Sequence, residues 1–276
     1  MEKLKKPSLK SLIISSLILT TSIFSANCKP DSNTPKIDKQ YIIDKYKNII
    51  PREWGENVTG VKTSLDTKQK VIALTFDACG GTKSNGYDRI LINFLIKENI
   101  PATLFINSRW IDANQDIFIA LSKNSLFEIE NHGTQHKPLS VNGKKAYGIN
   151  GTANIEEVLD EILTNQAKVE QLTKRKMKFF RSGTAYYDEV AIKIINDLGI
   201  DAVNFDVLGD AGATYTKKQV KKAYLSAAPG SIIISHMNHP EKETASGVIE
   251  AIPILKSRGF TFIKLEDYPK FRSRRT

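Results

Sequence analysis

From Val71 to Lys264 the sequence alternates between short apolar runs and longer amphipathic stretches. The runs are Val71–Phe76, Ala102–Ile106, Leu126–Glu130, Met177–Phe180, Ala202–Phe205, Ser231–Ser235 and Phe260–Lys264, and the helix-like stretches include Tyr87–Glu98, Ile155–Leu172, Glu189–Leu198, Lys217–Ala227 and Thr244–Ser257. Short runs followed by helix-length connections specify parallel strands, because a parallel neighbour is reached only through a crossover. The expected class is therefore α/β with about seven parallel strands.

The chain has only four histidines, and His132 and His136 stand in Asn131-His132-Gly133-Thr134-Gln135-His136, directly after one of these runs. Two imidazoles four residues apart can converge on one divalent ion from a single turn of chain. A solvated, idle pair is the competing reading, and position decides between them. Asp77, His132, Arg181, Asp206 and His236 each fall at, or just beyond, the C-terminal end of a different run. In parallel α/β folds that edge is where sites are built, because strand ends hold side chains on a rigid frame.

These residues carry a resemblance. Thr75-Phe76-Asp77, His132 to His136, Phe180-Arg181-Ser182-Gly183 and Ile234-Ser235-His236 occur in the order found in polysaccharide deacetylases of the NodB-like group, carbohydrate esterase family 4, and the likeness spans Lys70 to Tyr268. It implies a distorted (β/α)7 barrel, with an open doubly wound sheet as the alternative. It also implies amide hydrolysis assisted by a divalent transition metal, zinc first, which lowers the pKa of a bound water and polarises the carbonyl. By the same resemblance Asp77 is the general base, His236 the general acid, His132 and His136 metal ligands, and Arg181 the residue that holds the base. Asp206 or Asp210 is the expected carboxylate partner of His236.

The sequence departs from the family pattern at Ala78, where the pattern has a second aspartate on the metal. Asp77 itself, Cys79, or water could fill that place. Asp77 is the preferred third ligand, its hard oxygen suiting a mixed imidazole and carboxylate site; the base would then be Asp77 in a double role, or Asp210, or Glu130. Cys79, in a Cys79-Gly80-Gly81 turn, reads first as a small packed side chain. Thr184 follows the arginine motif and could offer a backbone donor to the oxyanion. Tyr186 and Tyr187 present faces on which a sugar could stack, with half-buried packing as the rival reading, and Asn238 and His239 lie close to the proposed acid.

Lys3, Lys5, Lys6 and Lys10 precede an apolar run from Leu12 to Phe24 that is too short for a membrane span and fits an export signal over residues 1–27. Cys28 then stands where lipoprotein signals are cut and acylated, so a lipid-anchored envelope protein is expected, with plain secretion as the alternative. With Cys28 acylated, Cys79 has no partner for an intrachain disulfide. Residues 28–60 read as tether and N-terminal extension, and 61–276 as one catalytic domain. The formal charge is +10; residues 1–27 carry four lysines and one glutamate, so the remainder keeps +7. That excess suits anionic envelope polymers or headgroups, whereas export and the lack of a binding motif argue against nucleic acid. No protein partner is indicated. Three functions stay open: a deacetylase acting on a polysaccharide, a hydrolase of another acyl amide, and a catalytically silent glycan-binding lipoprotein.

Overall fold

The computed structural model describes residues 38–269 and Phe271; the expected export signal, Cys28 and the expected tether lie outside them. Among the described residues no helix is long and apolar enough to cross a membrane.

The main sheet contains β1 (Val71–Ala78), β2 (Ala102–Ile106), β3 (Phe127–Asn131), β4 (Phe179–Phe180), β5 (Asp201–Ala202), β6 (Val207–Leu208), β7 (Ile232–His236) and β8 (Thr261–Ile263). The strands are parallel in the order β6-β7-β1-β2-β3-β4-β5, and β8 also lies against β1. The outermost strands, β5 and β6, are joined only by Val203–Asp206. A link of that length spans at most about 18 Å, whereas seven strands laid flat would hold their edges about 29 Å apart. The sheet must curl, which gives the distorted (β/α)7 barrel and not the open doubly wound sheet. Every residue of β1 after Val71 is buried, as expected of a strand covered on both faces.

The helices are α1 (Lys39–Tyr46), α2 (Arg89–Lys97), α3 (Ser108–Ala113), α4 (Gln115–Lys123), α5 (Ile155–Thr173), α6 (Glu189–Asp197), α7 (Lys217–Leu225) and α8 (Thr244–Ser257). Side-chain caps start several of them: Asp88 accepts from Leu91, Asn154 from Glu157 and Asp188 from Ala191. Helices α3 and α4 are not anticipated by the sequence pattern. Helix α1, read as extension, is sewn to the barrel: Ile42 and Tyr46 are buried among residues of α5 and α6, and Lys39 and Lys45 pair with Asp160 and Asp197.

Strands β4, β5 and β8 are shorter than their apolar runs. At the entrance of β4 the Glu130 carboxylate accepts the N–H groups of Lys178 and Phe179, and beyond β5 the N–H of Asn204 bonds to Lys62. The ladder therefore stops where other acceptors take over its donors.

Candidate active site

Asp77 on β1 and His236 on β7 occupy paired register positions at the exit of adjacent strands. Both line a cavity of about 460 Å³ that also receives Cys79, His136, Thr184 and His239.

Arg181, just beyond β4, is a fully enclosed charge. Its Nη1 donates to Asp77 Oδ1 at 2.7 Å and to Thr75 Oγ1 at 2.9 Å, Nη2 donates to the Asn204 carbonyl at 3.0 Å, and Nε to that of Val203 at 3.2 Å. The planar guanidinium also lies 4.2 Å from the centroid of Phe105. A buried cation is tolerable only with donors so satisfied, and the fork fixes one oxygen of Asp77. The other, Oδ2, faces His132 Nε2 at 3.6 Å.

His132 follows β3, and its Nδ1 lies 3.0 Å from the Arg181 carbonyl. A carbonyl only accepts, so Nδ1 carries the proton, and Nε2, turned toward Asp77 and Cys79, is the nitrogen left to meet a metal, the usual arrangement behind a metal-ligating imidazole. Cys79 Sγ lies 3.7 Å from that Nε2. His136 enters with a left-handed backbone, φ 61°, and its buried Nε2 has no hydrogen-bond partner. The candidate ligand atoms of Cys79, His132 and His136 lie within 4.8 Å of one another. Donors round a tetrahedral ion of this kind stand about 3.5 Å apart, so two imidazoles and a thiolate fit such an ion with slight contraction. Burial alone would raise the Cys79 thiol, but His136, His132 and His236 outweigh it and hold it well below its ordinary value. Among the described residues the three-donor group contains Cys79 and not Asp77, the ligand preferred from sequence.

The turn carrying His136 is held from outside the barrel by Glu161, on α5. Its carboxylate accepts the N–H groups of Thr134, Gln135 and Lys137. Two glycines are required here: a Cβ on Gly133 would meet that carboxylate at 2.4 Å, and one on Gly183 would meet the His136 backbone at 2.3 Å. Glu161 is not singled out by sequence, although an acid on the helix face formed by Val158, Leu159 and Ile162 is its one visible signal.

His236 Nδ1 lies 2.9 Å from Asp210 Oδ1, while Asp210 Oδ2 accepts from the His236 N–H and from Thr244 Oγ1. Burial lowers the imidazole's pKa, but the charge and hydrogen bond of Asp210 raise it well above the ordinary value. Asp206 is ruled out as the partner. It accepts from Ser231 Oγ and the Ile232 N–H at the entrance of β7, the end opposite His236. Glu130 lies elsewhere too, lining a second cavity with Glu128 and Lys264.

Of the remaining candidates, Thr184 lines the cavity, and its N–H makes no hydrogen bond among the described residues while those of Gly183 and Ala185 go to Lys137 and Ser182. Tyr186 sits between the rings of Trp54 and Tyr147. Tyr187 is fully buried, its hydroxyl bonded to the Ser182 N–H, so it packs and does not stack on substrate. Asn238 does not line the cavity; its Nδ2 donates to the Ser84 carbonyl and ties the Cys79 loop to the His236 loop.

A curled parallel sheet with a carboxylate and an imidazole side by side at its strand exits, both lining one cavity, defines a hydrolase of the barrel deacetylase class. The sequence profile of polysaccharide deacetylases matches residues 64–203, just over half of the 276-residue chain, and the chain belongs to that family. The Bacillus subtilis peptidoglycan-N-acetylmuramic acid deacetylase PdaA is 25% identical to it over 231 residues, 80% of this chain and 81% of that protein. The crystal structure of PdaA, a family 4 carbohydrate esterase, superposes with a TM-score of 0.65 at 22% identity, covering 85% of this chain and 89% of the other. A family 4 pseudoenzyme from Bacillus anthracis superposes with a TM-score of 0.64 at 18% identity, covering 83% and 80%.

Proposed function

We propose that this protein is a metal-dependent deacetylase that removes N-acetyl groups from a cell-envelope or extracellular polysaccharide. The observation that carries the reading is the register pairing of Asp77 with His236 in the wall of a cavity that is also lined by His136, whose buried Nε2 has no partner. The divalent metal, zinc first, would be held by His132, His136 and the Cys79 thiolate, and when bound it supplies Lewis acidity and an acidified water.

The chain's own residues then divide the work. With Cys79 as third ligand Asp77 keeps the base role: its carboxylate takes a proton from the attacking water while Arg181 fixes its orientation. The water oxygen adds to the acetyl carbon, the Thr184 N–H donates to the oxygen that becomes negative, and His236 gives its proton to the leaving nitrogen as the C–N bond breaks. Acetate and a free amine result. The name of the B. subtilis relative supports an envelope glycan as substrate, and the export signal with Cys28 supports an exported, lipid-anchored protein.

The similarity to a pseudoenzyme makes glycan binding without turnover the second reading. Protein lacking residues 1–28, loaded with zinc or cobalt(II), separates the two. The expected outcome is about one metal per chain and acetate release from N-acetylated glycans. Cobalt loading should give a near-ultraviolet thiolate charge-transfer band that disappears in Cys79→Ser, and His132→Ala should abolish metal uptake. Glycan binding with neither metal nor acetate would establish the silent protein, and a cobalt spectrum unchanged by Cys79→Ser would return Asp77 to the metal.

A further inference from the structure

Among the described residues eight large apolar side chains are exposed, and three of them, Tyr147, Ile149 and Leu208, line the catalytic cavity. Single exposed apolar residues are ordinary, but their concentration round one opening is not. Tyr147 is the most open of the three at 72%. It sits at the tip of the hairpin Lys145–Ala146 and Ile149–Asn150, where Ala146 pairs with Ile149. Both tip residues, Tyr147 and Gly148, have positive φ, 50° and 75°. That is the signature of a type I′ turn, whose first position favours asparagine, and a bulky aromatic there is strained.

The strained tyrosine is nevertheless fixed. Its hydroxyl donates to Glu56 Oε1 at 3.0 Å, and its ring meets Tyr186 edge-on at 5.4 Å. Tyr186 in turn lies 5.7 Å from Trp54. Three separate segments thus hold one aromatic face at the rim, with Ile149 two residues along the same hairpin face and Glu56 in the same cavity wall. A flat ring beside a carboxylate acceptor suits a pyranose, which has one apolar C–H face and an edge of hydroxyl donors.

We infer that Tyr147, Ile149 and Glu56 form a subsite for an uncharged pyranose next to the sugar that loses its acetyl group. The pyranose lies on the tyrosine face and donates a hydroxyl or amide hydrogen to Glu56, and an acidic sugar is disfavoured there by the same carboxylate. The inference rests on the deacetylase reading for the position of the reacting sugar.

The test compares the full chain with Tyr147→Asn and Tyr147→Phe on N-acetylglucosamine and its β-1,4-linked oligomers up to the pentamer, measuring acetate release and, by calorimetry, binding. Tyr147→Asn should lower kcat/KM and affinity for the oligomers about five- to tenfold while the monosaccharide, which cannot reach the subsite, shows no such loss, and its thermal midpoint stays level or rises because asparagine relieves the turn. Tyr147→Phe should retain most of the pentamer affinity. An equal loss at every length, or no loss, overturns the subsite. If the parent chain releases no acetate, the deacetylase reading falls, yet a pentamer affinity that depends on Tyr147 would still support the subsite.

Discussion

At the scale of single residues, the site is organised round a cation with no route to water. The Arg181 guanidinium serves a side-chain hydroxyl, a carboxylate and two carbonyls at once. An ammonium is a point charge and cannot span those acceptors. Arg181→Lys should therefore lower kcat by about a hundredfold or more and cost about 3 kcal/mol of stability, read from urea unfolding alongside turnover. An unchanged unfolding midpoint would show that the buried fork is not structural. Sequence alone placed Asp77, Arg181 and His236 at strand exits, where they lie, but it could not choose between Asp206 and Asp210. Both follow the same apolar run, and only the course of the chain puts the first at the entrance of β7 and the second at its exit.

At the scale of elements, the long strands β1, β2, β3 and β7 were legible because each is a continuous run buried on both faces. The two-residue strands β4 and β5 were overestimated, since Glu130 and Lys62 intercept the donors and acceptors that would have extended their ladders. The nearness of Cys79 to both histidines was hidden for a related reason. It depends on the turn through Gly80, at φ 71°, and not on residue chemistry. Glu161 acts at this scale as well, as one carboxylate gathering the amides of a whole turn. It is a positioning residue: Glu161→Gln should keep the fold but loosen His136, weakening metal affinity about tenfold or more in competition with a chelator, and Glu161→Asp should restore little because the shorter stem cannot reach. Metal affinity equal to that of the parent would remove Glu161 from the site's support.

Across the whole molecule, the barrel carries ionisable groups at both ends with opposite consequences. At the strand exits the charges are paired. In the second cavity Glu128 and Glu130 lie side by side; burial raises both, and the charge of Glu128 pushes Glu130 further, well above the ordinary carboxylate range. A folded-state pKa above the unfolded one means the protonated form is favoured by folding, so stability is undiminished below the unfolded pKa of about 4.3 and declines as pH rises through the folded value. Glu130→Gln should accordingly gain stability relative to the parent as pH rises from 5 to 8, measured as the urea midpoint. A difference independent of pH would mean the pair does not titrate with folding. The thiolate at the opposite end reaches beyond the molecule. On the proposed ligand set, one sulfur in place of an oxygen donor would make the pocket chalcophilic, and the abundant hard ions magnesium and calcium would be poor tenants. The supply of scarce soft metal, and not the concentration of common salts, would then govern how many copies are ready to work.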